Sequence, residues 1–109
     1  MDPQPLIVAT TTVDSREQAD TLAQEILAQR VAACVQIDGP VTSHYHWKGG
    51  IETATEWRLT IKTTLAAEPA LTDLVHRLHP YEQPQWWIAH AQQVSPGYAH
   101  WIQQVVPRG

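Results

Sequence analysis

The chain of 109 residues has a single cysteine, no phenylalanine, and only seven Lys and Arg residues against eleven Asp and Glu residues. One cysteine excludes a disulfide framework within the chain, so the composition does not require an oxidising compartment. The net charge of −4 argues against a broad nucleic-acid-binding face, because such faces depend on clustered basic side chains. We therefore expect no nucleic-acid partner.

Long apolar runs are also missing. No run approaches the roughly 20 residues of a membrane span, and residues 1–5 lack the basic flank and apolar stretch of a signal peptide. We expect no membrane partner and a cytoplasmic location. The length suits one domain over residues 1–109, in which residues 1–5, with two prolines, form a frayed tail.

The spacing of apolar residues predicts the order β-α-β-β-α-β followed by a short helix. The predicted strands cover residues 6–12, 31–37 continuing through 41–47, 51–64 and 85–94. Asp14 and Glu17 predict the start of the first helix as a capping box, Pro69 opens the second helix, and Ser95-Pro96 opens the last. With right-handed crossovers this order gives an α+β, ferredoxin-like sandwich with one sheet face left bare.

The two central strands are unusually long. At about fourteen residues and ~3.3 Å per residue each would extend roughly 46 Å, well beyond the outer strands. Unpaired strand edges are a liability, and Tyr45 and Trp47 would be exposed near the tip of the hairpin at Lys48-Gly49-Gly50. We therefore predict a homo-oligomer with Tyr45 and Trp47 at its interface. The alternative is a bent hairpin that folds over its own core.

Several histidines are candidate metal ligands. His44 and His46 lie two residues apart on one strand face and can chelate Zn²⁺ or Cu²⁺ together with ligands from elsewhere; otherwise they are exposed or interface residues. His76 and His79 lie at the end of the second helix, where a favourable interaction with the helix C-terminus is the alternative. Cys34, among apolar neighbours, is expected to be an inert core thiol.

Glu56, Arg58 and Lys62 share the polar face of the long returning strand. They either pair with one another on the bare sheet face or line a polar cleft between subunits that holds a small anion or a metal. The order of residues shows no Ser-His-Asp arrangement and no Gly-rich phosphate loop, so we expect no enzymatic activity.

Several segments together resemble the CutA family of divalent-cation tolerance proteins. They are residues 32–35, Pro40, residues 43–49, residues 56–59, Lys62-Thr63, His79-Pro80-Tyr81, Pro84, Tyr98 and Trp101. The resemblance implies a ferredoxin-like homotrimer that takes part in tolerance to divalent metals, notably copper. It implies no obligatory cofactor and no enzymatic activity, and it leaves room for an unidentified protein partner.

The resemblance also implies copper ligands at a cysteine of the first strand and at a pair of histidines before Pro80. This sequence has Thr11 and Leu78 at two of those positions, so only His79 carries over. Any metal would then rely on imidazoles and carboxylates, which suit Cu²⁺, Zn²⁺ or Ni²⁺.

Two alternatives remain open from the sequence. One is a regulatory trimer similar to the signal-transduction protein PII, with a small ligand in clefts between subunits lined by Glu56, Lys62, His79, Tyr81 and Trp101. The other is a purely structural assembly module. The five Trp residues, at positions 47, 57, 86, 87 and 101, cannot all enter one core, so some are predicted to be buried between subunits.

Overall fold

The structure, a computed structural model, describes residues 4–107. Its elements are β1 (Leu6–Val13), α1 (Arg16–Ala28), β2 (Cys34–Trp47), β3 (Gly50–Thr64), α2 (Glu68–Leu78), β4 (Trp87–His90) and α3 (Pro96–Val105). Residues 1–3 of the predicted tail lie outside the described residues. Within the rest of that tail, the carbonyl of Pro5 accepts a hydrogen bond of 2.9 Å from the amide of Leu65.

The four strands form one antiparallel sheet in the order β2-β3-β1-β4, which confirms the ferredoxin-like α+β sandwich. α1 and α2 cover one face, because their apolar stripes meet the apolar side of β1 and β3. The buried residues of this core are Ala9, Val13, Ala19, Leu22, Ile26, Ala32, Leu59, Ile61, Leu71, Leu74 and Val75.

α3 covers one end of the opposite face, so this face is less bare than the sequence predicts. Ile102 and Val106 pack there against Leu6 and Ala67 in a second small core. Cys34 lies on this same side of the sheet, because its register partner is Lys62 rather than the buried Ile61. The prediction that Cys34 is a core residue is therefore wrong for the protomer. Cys34 is half-buried and lies outside the main core.

Two element ends also differ from the prediction. Ser15, not Asp14, caps α1, and its Oγ accepts from the amide of Gln18 at 3.1 Å. β4 has four residues rather than the ten expected, and the residue just before it contacts α2. There Trp86 donates its Nε1–H to Thr72 Oγ1 at 3.1 Å and packs against the main core.

The long hairpin is confirmed. β2 and β3 have 14 and 15 residues, whereas β1 has 8. The pairing of β1 with β3 ends at Val13 opposite Trp57. We call residues 41–56, which continue past this point, the overhang; within the described residues its strands pair only with each other.

A bulge marks the base of the overhang, where Asp38-Gly39-Pro40 interrupts β2. The register of β2 against β3 shifts between Asp38 and Val41. Gly39 has a φ of +154°, and a Cβ there would lie 2.8 Å from a ring carbon of Trp57. The bulge therefore requires glycine, both for its backbone angle and for the close approach of the indole.

Gly39→Ala is expected to lower the free energy of unfolding by about 1–3 kcal/mol, because the added methyl must displace Trp57. Chemical denaturation at a fixed protein concentration measures this. Gly97→Ala is the matched control: its Cβ meets no atom within 4 Å, and within α3 alanine should leave stability unchanged or raise it by up to about 1 kcal/mol. Equal effects of the two substitutions would contradict the assignment.

Candidate functional site

The loop between α2 and β4, residues 79–86, is attached to the end of β1 by one imidazole. His79 caps α2, and Pro80 prevents the helix from continuing. The Nε2 of His79 lies 2.9 Å from both Thr11 Oγ1 and the Thr12 carbonyl oxygen, and its Nδ1 accepts from the Tyr81 amide at 3.1 Å. Because Nδ1 accepts, the ring proton is on Nε2 and the imidazole is neutral.

Burial lowers the pKa of His79 below its ordinary 6.5. The hydrogen bond to the Thr12 carbonyl opposes this effect, and the nearby His76 adds to it. The neutral form required by the two hydrogen bonds is therefore also the form that the surroundings favour.

Tyr81 extends the same network to the base of the overhang. Its hydroxyl donates to Glu56 Oε2 at 2.8 Å, and its ring lies 4.9 Å from that of His79. Burial, together with the hydrogen bond and the charge of Glu56, raises the pKa of Tyr81 well above its ordinary value. Tyr81 thus keeps its proton and remains the donor. Glu56 itself is only 7% exposed.

An open cavity of about 770 Å³ lies between the overhang and the loop of residues 79–86. Three carboxylate residues and three aromatic residues are among those that line it: Asp14, Glu56, Glu82, Tyr45, Trp47 and Tyr81. Within the described part of the chain its lining includes no Lys or Arg. We call it the acidic cavity.

The structure brings together only some of the residues predicted to line the inter-subunit cleft. Glu56, His79 and Tyr81 come together, as described above. Lys62 and Trp101 do not join them in the protomer: Lys62 Nζ lies 5.8 Å from the ring centre of Tyr98, whose ring is in turn 5.6 Å from that of Trp101. Lys62 is six residues from Glu56 along β3, which corresponds to roughly 20 Å.

Arg58 does not pair with Glu56 or Lys62, as the first of the two alternatives for the polar strand face required; its partner is Asp38, which the sequence reasoning missed. It forms two hydrogen bonds with the carboxylate of Asp38, of 3.2 and 2.6 Å, across the two hairpin strands. The register makes Asp38 and Arg58 direct neighbours. The bulge begins directly after Asp38, so the Asp-Gly-Pro signature marks the last residue of β2 that keeps this register.

The candidate metal ligands do not form a site within one protomer. Among residues 4–107 no group of three or more His, Cys, Asp or Glu side chains could hold a metal. A metal at His79 would have to replace one of the hydrogen bonds at its ring nitrogens. Thr11 does lie against His79, but a buried threonine hydroxyl is a poor substitute for a thiolate.

His44 and His46 both lie on the overhang. His44 Nδ1 is 3.1 Å from Thr53 Oγ1, and no other ring nitrogen of this pair has a hydrogen bond within the described residues. The predicted interface residues of the overhang, Tyr45 and Trp47, remain 42% and 39% exposed in the protomer. Two further tryptophans, Trp87 and Trp101, are also exposed. None of the side chains of Tyr45, Trp47, Trp87 and Trp101 belongs to the main core.

Comparison with known proteins identifies the family. The family described as "CutA1 divalent ion tolerance protein" matches residues 7–105. The chain belongs to this family. It is 37% identical over 103 residues to mouse "Protein CutA", covering 94% of this chain and 58% of the mouse protein. It is 36% identical over 97 residues to "Divalent-cation tolerance protein CutA" of Thermus thermophilus, covering 89% of this chain and 94% of that protein.

The fold agrees with solved CutA1 structures. The crystal structure of CutA1 from Oryza sativa superposes with a TM-score of 0.94 at 31% sequence identity, covering 98% of both chains. Because the chain spans little more than half the length of the mouse protein, that protein's activity and partners do not transfer with the family.

These comparisons support the divalent-cation tolerance family and give no support to the PII-like alternative. Within residues 4–107, no helix has both the length and the hydropathy needed to cross a membrane.

His79→Gln is expected to flatten the dependence of stability on pH between about pH 7 and pH 5.5. Below its ordinary pKa of 6.5, His79 gains a proton in the unfolded chain before it does in the folded one, so acidification favours unfolding. Wild-type stability therefore falls as the pH drops through this range, and the variant loses that contribution.

The measurement is chemical denaturation across this pH range at constant ionic strength. His100→Gln, at an exposed position of α3, is the control and should keep the wild-type slope. An unchanged slope in His79→Gln would show that the imidazole is not held neutral in the folded protein.

Proposed function

We propose that this CutA1 protein acts in tolerance to divalent cations as a homotrimer and that it binds copper or another divalent cation. The observation that carries the proposal is the match to named divalent-cation tolerance proteins at 31–36% identity and over 86–94% of their lengths. The cation is the ligand of the protein rather than a resident cofactor, and none is required for folding.

The overhang supports the assembly. Residues 41–56 extend past the sheet that holds the rest of the hairpin, and they carry Tyr45 and Trp47, which the protomer leaves exposed. β2 is also an edge strand along its whole length. A neighbouring copy would cover both features, because each protomer would offer its overhang to the next.

The free imidazoles of the hairpin are the best available cation ligands. His44 and His46 lie on the same strand face and keep Nε2 of His44 and both nitrogens of His46 available within the described residues. Two imidazoles form a weak site, and further ligands from a neighbouring protomer or from water would complete it. His79 is not proposed as a ligand, because its two nitrogens hold the loop of residues 79–86.

We propose no catalytic reaction. Thr11 and His79 form a hydroxyl–imidazole pair, but the Thr11 hydroxyl is fully buried and out of reach of a substrate. The pair of Thr53 and His44 is exposed and has no carboxylate to orient the imidazole within the described residues. We also propose a cytoplasmic location and a so far unidentified protein partner that responds to the bound cation.

Light scattering coupled to size exclusion should give the mass of three chains of 12.2 kDa each. Trp47→Glu should shift the protein towards the monomer, because it introduces a charge into the interface. Leu27→Glu, at a 44% exposed position of α1, is the control and should leave the mass unchanged. A monomeric wild-type protein at micromolar concentration would contradict the assembly.

Calorimetric titration of the tag-free protein with Cu²⁺ and Zn²⁺ tests the ligands. The double variant His44→Gln/His46→Gln is expected to weaken binding by about tenfold or more, since even the loss of a ligand's hydrogen-bond partner costs that much. His79→Gln, the matched control, should bind as the wild type does. Loss of binding only in His79→Gln would reverse the assignment.

A further inference from the structure

Glu56 is a nearly buried carboxylate without a positive partner. It is 7% exposed, and the hydroxyl of Tyr81 is its one hydrogen-bond donor within residues 4–107. No nitrogen of a described Lys, Arg or His lies within 4.0 Å of it; the ion pairs of this part of the chain join Arg16 to Asp20, Arg58 to Asp38 and Arg77 to Asp73. Buried charges in proteins are normally paired, because an unpaired one is costly.

Within residues 4–107, the protomer has few cations left to supply this partner. Three of the six described basic residues are used in the ion pairs above, and Arg30 donates to the carbonyl of Val105 beside the end of α1. This leaves Lys48 at the exposed hairpin tip, where its ammonium lies 5.5 Å from the ring centre of Trp47, and Lys62.

Lys62 is a basic residue without an acidic partner among the described residues. It is half-buried, it has no carboxylate within 4.0 Å among the described residues, and its ammonium lies beside the ring of Tyr98. Glu56 and Lys62 are on the same face of β3, because an even number of residues separates them. The ~20 Å between them is several times the reach of a lysine side chain, so they cannot meet within one protomer.

Both residues lie on one face of the sheet, at positions that the overhang of one copy and the body of another would bring together. The face of the overhang that carries Glu56 and Tyr45 continues, in the body of the sheet, as the face opposite α1 and α2, which α3 covers at one end only. An overhang that extends beyond its own sheet and lies against that face of the next copy places an acidic cavity opposite a surface that carries an unpaired lysine. Opposite charges on two separate patches of one chain suit a closed ring, in which each copy uses one patch on each neighbour.

We infer that Glu56 forms an ion pair with Lys62 of the partner subunit, so that the acidic cavity is completed only in the assembly. This inference rests on the proposed trimer and adds to it the contact that selects one neighbour orientation. The hydroxyl of Tyr81 holds Glu56 in place, and the Nδ1 of His79 holds the backbone amide of Tyr81.

A charge exchange tests the pair. Glu56→Lys alone and Lys62→Glu alone place like charges together and should each weaken the trimer by roughly tenfold or more in dissociation midpoint. The double variant Glu56→Lys/Lys62→Glu restores opposite charges at every interface and should recover most of this loss. Analytical ultracentrifugation over a range of protein concentrations gives the midpoints.

The second exchange, Glu56→Lys/Lys48→Glu, is the matched control, because Lys48 is the other lysine without a carboxylate partner. It should not recover the trimer. Recovery in this variant rather than with Lys62→Glu would overturn the proposal, and so would the absence of recovery in both. In the last case native mass spectrometry would show whether a small cation, lost in Glu56→Gln, neutralises the carboxylate instead.

Milder variants keep the test valid if a charge reversal prevents folding. In a double-mutant cycle of Glu56→Gln and Lys62→Gln, the two losses should be strongly non-additive if the residues are in contact and additive if they are not. A trimeric wild type with additive losses would refute the ion pair and leave the assembly standing. A monomeric wild type would instead refute the assembly.

Discussion

The central constraint on this protein is that its hairpin is longer than the sheet that supports it. β3 has a second neighbour only as far as Trp57, where β1 ends. Beyond that residue one ribbon of two strands carries its own backbone groups and side chains into solvent. A two-stranded ribbon is marginal in water without a packed face, so the protomer is arranged around a segment that it cannot itself stabilise fully.

The loop of residues 79–86 is the protomer's own support for the base of the overhang. It passes the end of β1 and brings Tyr81 to the base of the overhang. Two hydrogen bonds at one neutral imidazole fix this path. In the protomer, the histidine that the family resemblance suggested as a ligand aligns the loop with the ribbon, and both of its nitrogens are used in doing so.

The fold could be read from the sequence because its signals were local and periodic. The alternation along β3 and the stripe of Leu71, Leu74 and Val75 on α2 each predict an element and the face it buries. The candidate site was harder, since it depends on contacts between residues far apart in sequence, such as Tyr81 with Glu56. The sequence already places Glu56 and Lys62 six residues apart on one strand, but the pairing of Arg58 with Asp38 follows only from strand register. The late start of β4 was equally hidden, because the hydrogen bond from Trp86 to Thr72 is a tertiary contact.

The bulge at Gly39 and Pro40 has a consequence for the newly made chain. The isolated protomer presents the whole outer edge of β2, and a continuous row of free amides and carbonyls at such an edge allows another strand to add to it. Pro40 has no amide to offer, and the extra residue beside it turns the strand. The edge is thus divided into two short stretches on either side of the bulge, neither of which supports open-ended growth of a fibre. In the proposed trimer, closure of the ring would be favoured partly because the competing addition of further strands at this edge is interrupted at Pro40.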